Sequence, residues 1–283
     1  MKLAHIGRII QIHINGKAKP ITFNRPNSAR SALKLSNQAA FFARMASTSN
    51  GIHRTGKAVV GVCQMTSTSV KSENMKTIAE LVASAKAKGS QMVFFPEACD
   101  YIGESRQQTL EYAEPIDGEF ITQCKQLAVK HDVWLSLGGF HLKASVDGVE
   151  KTKNTHVIID SKGDLRASYG KTHLFDLSLE GSVHLMESSY VQAGDTIVPP
   201  VPTPVGRVGL AICYDMRFPE LSLALAQQGA DILTFPSAFT QITGMAHWES
   251  ILRCRAIETQ CYVVAAAQTG RHNDKRSSYG HTM

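Results

Sequence analysis

Between residues 58 and 267, short apolar runs rich in β-forming residues alternate with stretches of helical spacing. That alternation limits the possible folds more than any other feature of the chain. Residues 58–65 and 92–95 are apolar on both faces, the pattern of strands buried on both sides. Between them, residues 73–88 repeat apolar positions at helical intervals, with Ser72 as the expected N-cap and Gly89 as the stop. A helix over 120–130 and a strand over 133–141 follow. Farther on, strands are expected over 208–213, 232–235 and 262–267, with helices over 219–228 and 246–259. Strand–helix alternation specifies the α/β class. Residues 155–159 and 165–169, joined by a polar turn with Gly163, read as a hairpin, so the sheet is mixed. Residues 172–206, with Pro199, Pro200, Pro202 and Pro204, read as a long loop of the kind that often carries function.

The 283 residues suffice for one large α/β domain, and a 43% hydrophobic content is enough for a core. No apolar run is long enough to span a bilayer, so membrane insertion is not expected. Cys63, Cys99, Cys124, Cys213, Cys254 and Cys261 are too sparse for a disulfide scaffold, and nothing before them reads as a secretory signal. A reducing compartment follows. No pair is spaced CxxC, which leaves a zinc site without support.

The net charge of +6 invites a nucleic-acid partner, but its distribution argues against one. Residues 1–57 carry ten basic residues and no acid; the rest holds 20 basic against 24 acidic residues, a net of −4. The basicity belongs to a leader. Rich in Arg, Lys, Ser and Asn, with an amphipathic stretch over 32–46, the leader has the composition of a mitochondrial transit peptide. A disordered extension without a role is the alternative. Initiation at Met45 would give a cytoplasmic form. The expected organisation is therefore a leader over 1–57 and one folded domain over 58–283. The chain stops as another strand begins, so the domain is expected to be incomplete at its C-terminal end.

Three polar residues stand at the ends of apolar strands: Glu97, Lys171 and Cys213. Ligands of open α/β sheets bind at the carboxyl ends of strands. Cys213 also precedes a helix, and a nucleophile on a strand-to-helix turn is presented outward beside backbone N–H groups. A thiol needs help at neutral pH; a carboxylate can be its base and an ammonium can stabilise negative charge. Taken singly, each has a plainer explanation: an inert core cysteine, an acid at a helix start, a solvated lysine. Arg217, four residues past Cys213, can grip a carboxylate bidentately or pair with Glu220 or Asp215. His173 and His247 read as structural.

Three segments carry a resemblance. Phe94-Phe95-Pro96-Glu97, Tyr169-Gly170-Lys171-Thr172-His173-Leu174-Phe175-Asp176 and Gly209-Leu210-Ala211-Ile212-Cys213-Tyr214-Asp215-Met216-Arg217-Phe218-Pro219-Glu220 resemble, in order, the Glu, Lys and Cys motifs of the nitrilase superfamily. The run Pro236-Ser237-Ala238-Phe239-Thr240, then Gly244, His247-Trp248-Glu249 and residues 253–260, is similar too. The likeness spans about residues 58–283 and is nearest to the Nit branch. It implies a four-layer αββα sandwich with mixed sheets and a homo-oligomer built on a dimer. By that resemblance Cys213 is the nucleophile, Glu97 the general base and Lys171 the general acid or oxyanion support. A second glutamate of the family falls on Glu187 better than on Glu180. Tyr214, Arg217, Phe239, Thr240 and Thr243 are the implied substrate contacts. The implied reaction is hydrolysis of a small carboxylate-bearing amide through a thioester, with water and no metal or organic cofactor. Deaminated glutathione is the first substrate implied; α-keto dicarboxylic monoamides are the second. Relatives continue beyond this chain's end, so a non-catalytic interaction protein is the reading from another class.

Overall fold

The structure is a computed structural model that describes residues 8–14, 58–179 and 183–283. In chain order it has β1 (Arg8–Ile14), β2 (Ala58–Met65), α1 (Lys71–Ala87), β3 (Met92–Phe95), α2 (Arg106–Tyr112) and α3 (Glu119–His131). The long pair β4 (Trp134–Val146) and β5 (Val149–Ile159) follows, then β6 (Leu165–Gly170), β7 (Asp176–Leu179) and β8 (Val183–Met186). The last part holds β9 (Val201–Thr203), β10 (Gly206–Leu210), α4 (Pro219–Gln227), β11 (Ile232–Thr234), α5 (Gln241–Thr259), β12 (Tyr262–Val264), β13 (Ala267–Arg271) and β14 (Ser277–Tyr279). Single 3-10 turns lie at Glu187–Ser189 and Cys213–Arg217.

Two sheets form. The larger runs β14-β13-β2-β3-β4-β5-β6, with β1 paired to β2; the smaller runs β12-β11-β10-β9. In the larger, β13, β2, β3 and β4 are parallel while β5 and β6 are antiparallel additions, so the sheet is mixed as expected. Period-two alternation divides the side chains between two cores. Val93 and Phe95 of β3 point to one core with Ile78, Leu81 and Val82 of α1 and Ile121 and Cys124 of α3. Met92 and Phe94 point to the other, where Val208, Leu210, Ile232, Leu221, Leu225, Trp248 and Leu252 gather. Helices α1 and α3 thus cover one sheet and α4 and α5 the other, which is the four-layer αββα order.

Several expectations change. Ser72 is not the N-cap: α1 starts at Lys71, and Val70 occupies the cap without a side-chain bond. The entry is fixed by buried Asn74, which accepts from the Thr68 N–H and donates to the Thr68 and Asp100 carbonyls. Helix α5 begins five residues early because Thr240 caps it by accepting from the Thr243 N–H. Gly244, inside α5, is tucked against the Tyr279 ring, where an added Cβ would collide. The apolar run 262–267 is two strands in two sheets, β12 and the start of β13. Within 172–206 lie the β7–β8 ribbon and the edge strand β9, which tolerates Pro202 because β10 is its sole neighbour.

Residues 8–14, expected to lie in a leader outside the fold, form a strand antiparallel to β2 from Arg8 opposite Gln64 to Ile14 opposite Ala58. Ile9 packs against the helix-side core and Ile12 against the intersheet core, so apolar burial explains the docking. The amphipathic stretch 32–46, Met45 and Glu180 lie outside the described residues. Among the described residues no helix is long and apolar enough to cross a membrane.

Candidate active site

Glu97 lies just past β3, where the chain turns sharply. Ala98 adopts φ +56°, and its N–H donates to the Gly139 carbonyl at 2.7 Å. From β13, the buried Gln268 amide donates to the carbonyls of Glu97 (3.0 Å) and Ala98 (3.1 Å), which fixes the backbone that carries the carboxylate. Lys171 directly follows β6; its N–H donates to the Asn154 carbonyl at 2.9 Å and its carbonyl accepts from Gly194. Cys213 opens the 3-10 turn after β10 with φ +47°, an uncommon conformation for a residue with a Cβ. Its own N–H is used by the Pro236 carbonyl at 2.9 Å. The next N–H, that of Tyr214, belongs to the first turn and has no acceptor within it.

Asp215 holds this turn in place. Its carboxylate, fully buried, accepts from the Ile212 N–H (2.8 Å), the Tyr169 hydroxyl (2.8 Å), the Thr172 hydroxyl (3.1 Å) and the His173 N–H (3.0 Å). The lysine-bearing loop and the cysteine-bearing turn are thereby tied together. Below the turn, Arg255 donates to the Met216 carbonyl at 2.8 Å. Buried His156 contacts the Ala211 carbonyl through Nδ1 (3.2 Å) and Ser136 through Nε2 (2.7 Å). Burial pulls its pKa down to about 4, so it is a neutral strut between the sheets.

The three residues expected to act together meet. Lys171 Nζ lies 3.0 Å from Glu97 Oε1 and 3.0 Å from Glu187 Oε2. Glu97 also accepts from Asn154 Nδ2 at 2.8 Å and the Ala238 N–H at 2.9 Å, and the Cys213 thiol lies close enough to feel its charge. Only 6% of Glu97, 2% of Lys171 and 9% of Cys213 is exposed. Burial disfavours the Glu97 carboxylate, yet the Lys171 charge and the hydrogen bonds outweigh it and hold the carboxyl below its usual range. Burial also opposes the Lys171 ammonium, but Glu187 and Glu97 hold its pKa well above the ordinary lysine value. Burial, reinforced by the Glu97 charge, pushes the Cys213 thiol up. The resting cluster is a carboxylate, an ammonium and a neutral thiol. That combination suits a base that removes the thiol proton during attack, rather than a preformed thiolate.

The remaining predicted residues surround this cluster unequally. Glu187, on its 3-10 turn, joins Lys171 and accepts from the Phe175 N–H at 2.6 Å. Tyr214 packs edge-on against Phe175 and Phe218. The Arg217 guanidinium sits over the Tyr214 ring (5.7 Å) and the Phe239 ring (5.6 Å) and reaches His247 Nδ1 at 3.2 Å. It does not take the expected alternative pairing with Asp215, whose oxygens are used by the lysine loop. Phe239 in turn packs on Trp248. The hydroxyls of Thr240 and Thr243 bond each other at 2.8 Å in the cap of α5. His173 stacks on Phe218, with ring centroids 3.6 Å apart. Asn154, Asp215, Gln268 and the Ala238 N–H escaped the sequence reading. Asp215 lies inside the cysteine motif and offered a signal; Asn154 and Gln268 sit within strands and offered none.

Comparison with known proteins places this geometry. The carbon-nitrogen hydrolase family matches residues 59–283. A mouse deaminated glutathione amidase is 55% identical over 226 residues, 80% of this chain and 70% of that protein. The crystal structure of the Caenorhabditis elegans NitFhit protein superposes with a TM-score of 0.75 at 52% identity, over 79% of this chain and 54% of that one. Saccharomyces cerevisiae Nit3, a member of branch 10 of the nitrilase superfamily, superposes with a TM-score of 0.67 at 28% identity, over 79% of this chain and 80% of that one. With its sheets, its helices and its sequence all in agreement, the chain belongs to the carbon-nitrogen hydrolase family, within the Nit branch of the nitrilase superfamily.

Proposed function

We propose that the protein hydrolyses the amide bond of deaminated glutathione through a thioester on Cys213. One observation carries the reading: Glu97, Lys171 and Cys213 leave three different strands and converge in a single buried cluster, in which Lys171 bonds Glu97 and the Cys213 thiol lies within reach of both charges. As the sulfur attacks the amide carbon, Glu97 takes the thiol proton. Lys171 Nζ and the Tyr214 N–H face the oxyanion; removing one such donor typically costs roughly 10²–10³ in rate. The carbon–nitrogen bond then breaks and Glu97 hands its proton to the departing nitrogen. Water attacks the thioester, Glu97 takes its proton, and the carboxylate product leaves as the thiol is restored. Glu187 keeps the Lys171 ammonium charged and placed. The Arg217 guanidinium, over two aromatic rings, binds the substrate carboxylate. The name of the mouse relative supports the choice of substrate.

Incubation with deaminated glutathione followed by acid quench is expected to leave an acyl mass on the peptide that contains Cys213. Cys213→Ala is expected to fold, form no adduct and lose at least about 10⁴ in turnover. Hydrolysis retained in that variant would reject the mechanism. A higher kcat/KM for α-keto dicarboxylic monoamides would move the substrate assignment to an omega-amidase.

A further inference from the structure

One half-buried side-chain amide lies against both carboxylates of the cluster. Asn154, on β5, donates from Nδ2 to Glu97 Oε1 at 2.8 Å and toward Glu187 Oε1 at 3.4 Å, while its backbone carbonyl accepts from the Lys171 N–H. Its orientation is set by charge: turned over, its oxygen would face two carboxylate oxygens. The consequence is that Asn154 Oδ1 is buried without a partner. A buried acceptor left unpaired lowers stability, and one at a reactive site points to a functional reason. Room for this amide comes from Gly139, at φ +88° beside the β4 bulge, where an added Cβ would collide with Oδ1.

The two oxygens of Glu97 are consequently inequivalent. Among the described residues, Oε1 receives Lys171 Nζ and Asn154 Nδ2, and Oε2 receives the Ala238 N–H. A proton on Oε1 would meet two donors. Oε2 retains a free lone pair, and the Cys213 thiol lies beside Glu97.

We propose that Asn154 is a positioning residue that keeps a donor on Glu97 Oε1 and so reserves Oε2 for the proton leaving Cys213. The inference rests on the amidase reading above. One proton moves, from Sγ to Oε2, as the sulfur–carbon bond forms; no bond at Asn154 changes.

The test uses Asn154→Ala, Asn154→Asp and Asn154→Ser in the full chain, with two readouts. The first is the pH dependence of Cys213 alkylation by iodoacetamide, followed by peptide mass. The second is the pH dependence of kcat/KM for deaminated glutathione. Losing the donor raises the Glu97 pKa, so the acid limb of both profiles is expected to move up by about one unit in the Ala variant. The Asp variant, with a third carboxylate beside Glu97, is expected to move further, and the Ser variant, which keeps a hydroxyl donor, less. The kcat is expected to fall roughly 10- to 100-fold with KM nearly unchanged, part of the ~10²–10⁴ a general base contributes. A purely structural Asn154 would lower the rate evenly across pH with the limb fixed; that result in whichever of the three variants fold overturns the proposal. Alkylation reads the Cys213–Glu97 pair without turnover. Failure of the amidase reading would therefore appear separately, as absent hydrolysis with an intact wild-type alkylation profile.

Discussion

His173 Nδ1 lies 2.7 Å from Oδ1 of Asp215, so the residue two places after Lys171 is bonded to the residue two places after Cys213. Because that carboxylate also accepts from Ile212, Tyr169 and Thr172, it joins the two halves of the site more firmly than any single contact between them.

Asp215→Ala should therefore unfold far more easily than wild type. Several buried donors would lose their acceptor at once, which implies a loss of at least about 3 kcal/mol in urea unfolding. Activity should fall with it. A loss under about 1 kcal/mol would show that the carboxylate is dispensable.

Glu97 gives a signed pH prediction. Its carboxyl lies below its unfolded value of ~4.3, held there against burial by Lys171 and the hydrogen bonds. Ionised Glu97 thus contributes stability that is complete above about pH 4.3 and is lost as pH falls through the folded value. Glu97→Gln should be less stable than wild type by on the order of 3 kcal/mol near neutrality. Urea midpoints measured from pH 7 downward should show the gap closing in acid; a gap that widens instead contradicts the ion pair.

The pH–rate profile separates this site from a cysteine–histidine hydrolase. With the resting proton on sulfur and the carboxylate ionised, kcat/KM should be flat from about pH 6 to 8, across the ordinary histidine range of ~6.5. His173→Asn should leave that plateau in place. An ionisation near neutrality that disappears in this variant would transfer the role of base to His173.

Arg217→Ala should discriminate among substrates. Loss of a charged hydrogen-bonding partner, roughly 1.5–3 kcal/mol, predicts a fall of about 10- to 100-fold in kcat/KM for amides that carry a carboxylate. Amides without one should change little. An equal fall for both classes would remove Arg217 from recognition and leave it as packing between Tyr214, Phe239 and His247.

The sequence alone was enough for the α/β class, most of the helices and the choice of Glu97, Lys171 and Cys213, which the structure brings together. Those features are local: strand and helix periods differ, and Glu97, Lys171 and Cys213 each stand where an apolar run stops. Glu187 was legible only through resemblance, since an acid on a loop carries no signal of its own. The sequence did not disclose that 262–267 divides between two sheets, because a strand buried on either sheet has the same apolar text. Nor did it disclose the docking of residues 8–14, because Ile9 and Ile12 find their cores only once β2 offers them a strand to pair with. Asn154 and Gln268 were hidden for the same reason. Each is a polar residue inside a strand, and it becomes part of the site only when strand pairing brings its amide to a distant partner, the Glu97 carboxylate 57 positions away for Asn154 and the Glu97 carbonyl 171 positions away for Gln268. Chemistry was written in residue type and place along the chain, whereas the pairing of protons with particular oxygens was decided by packing.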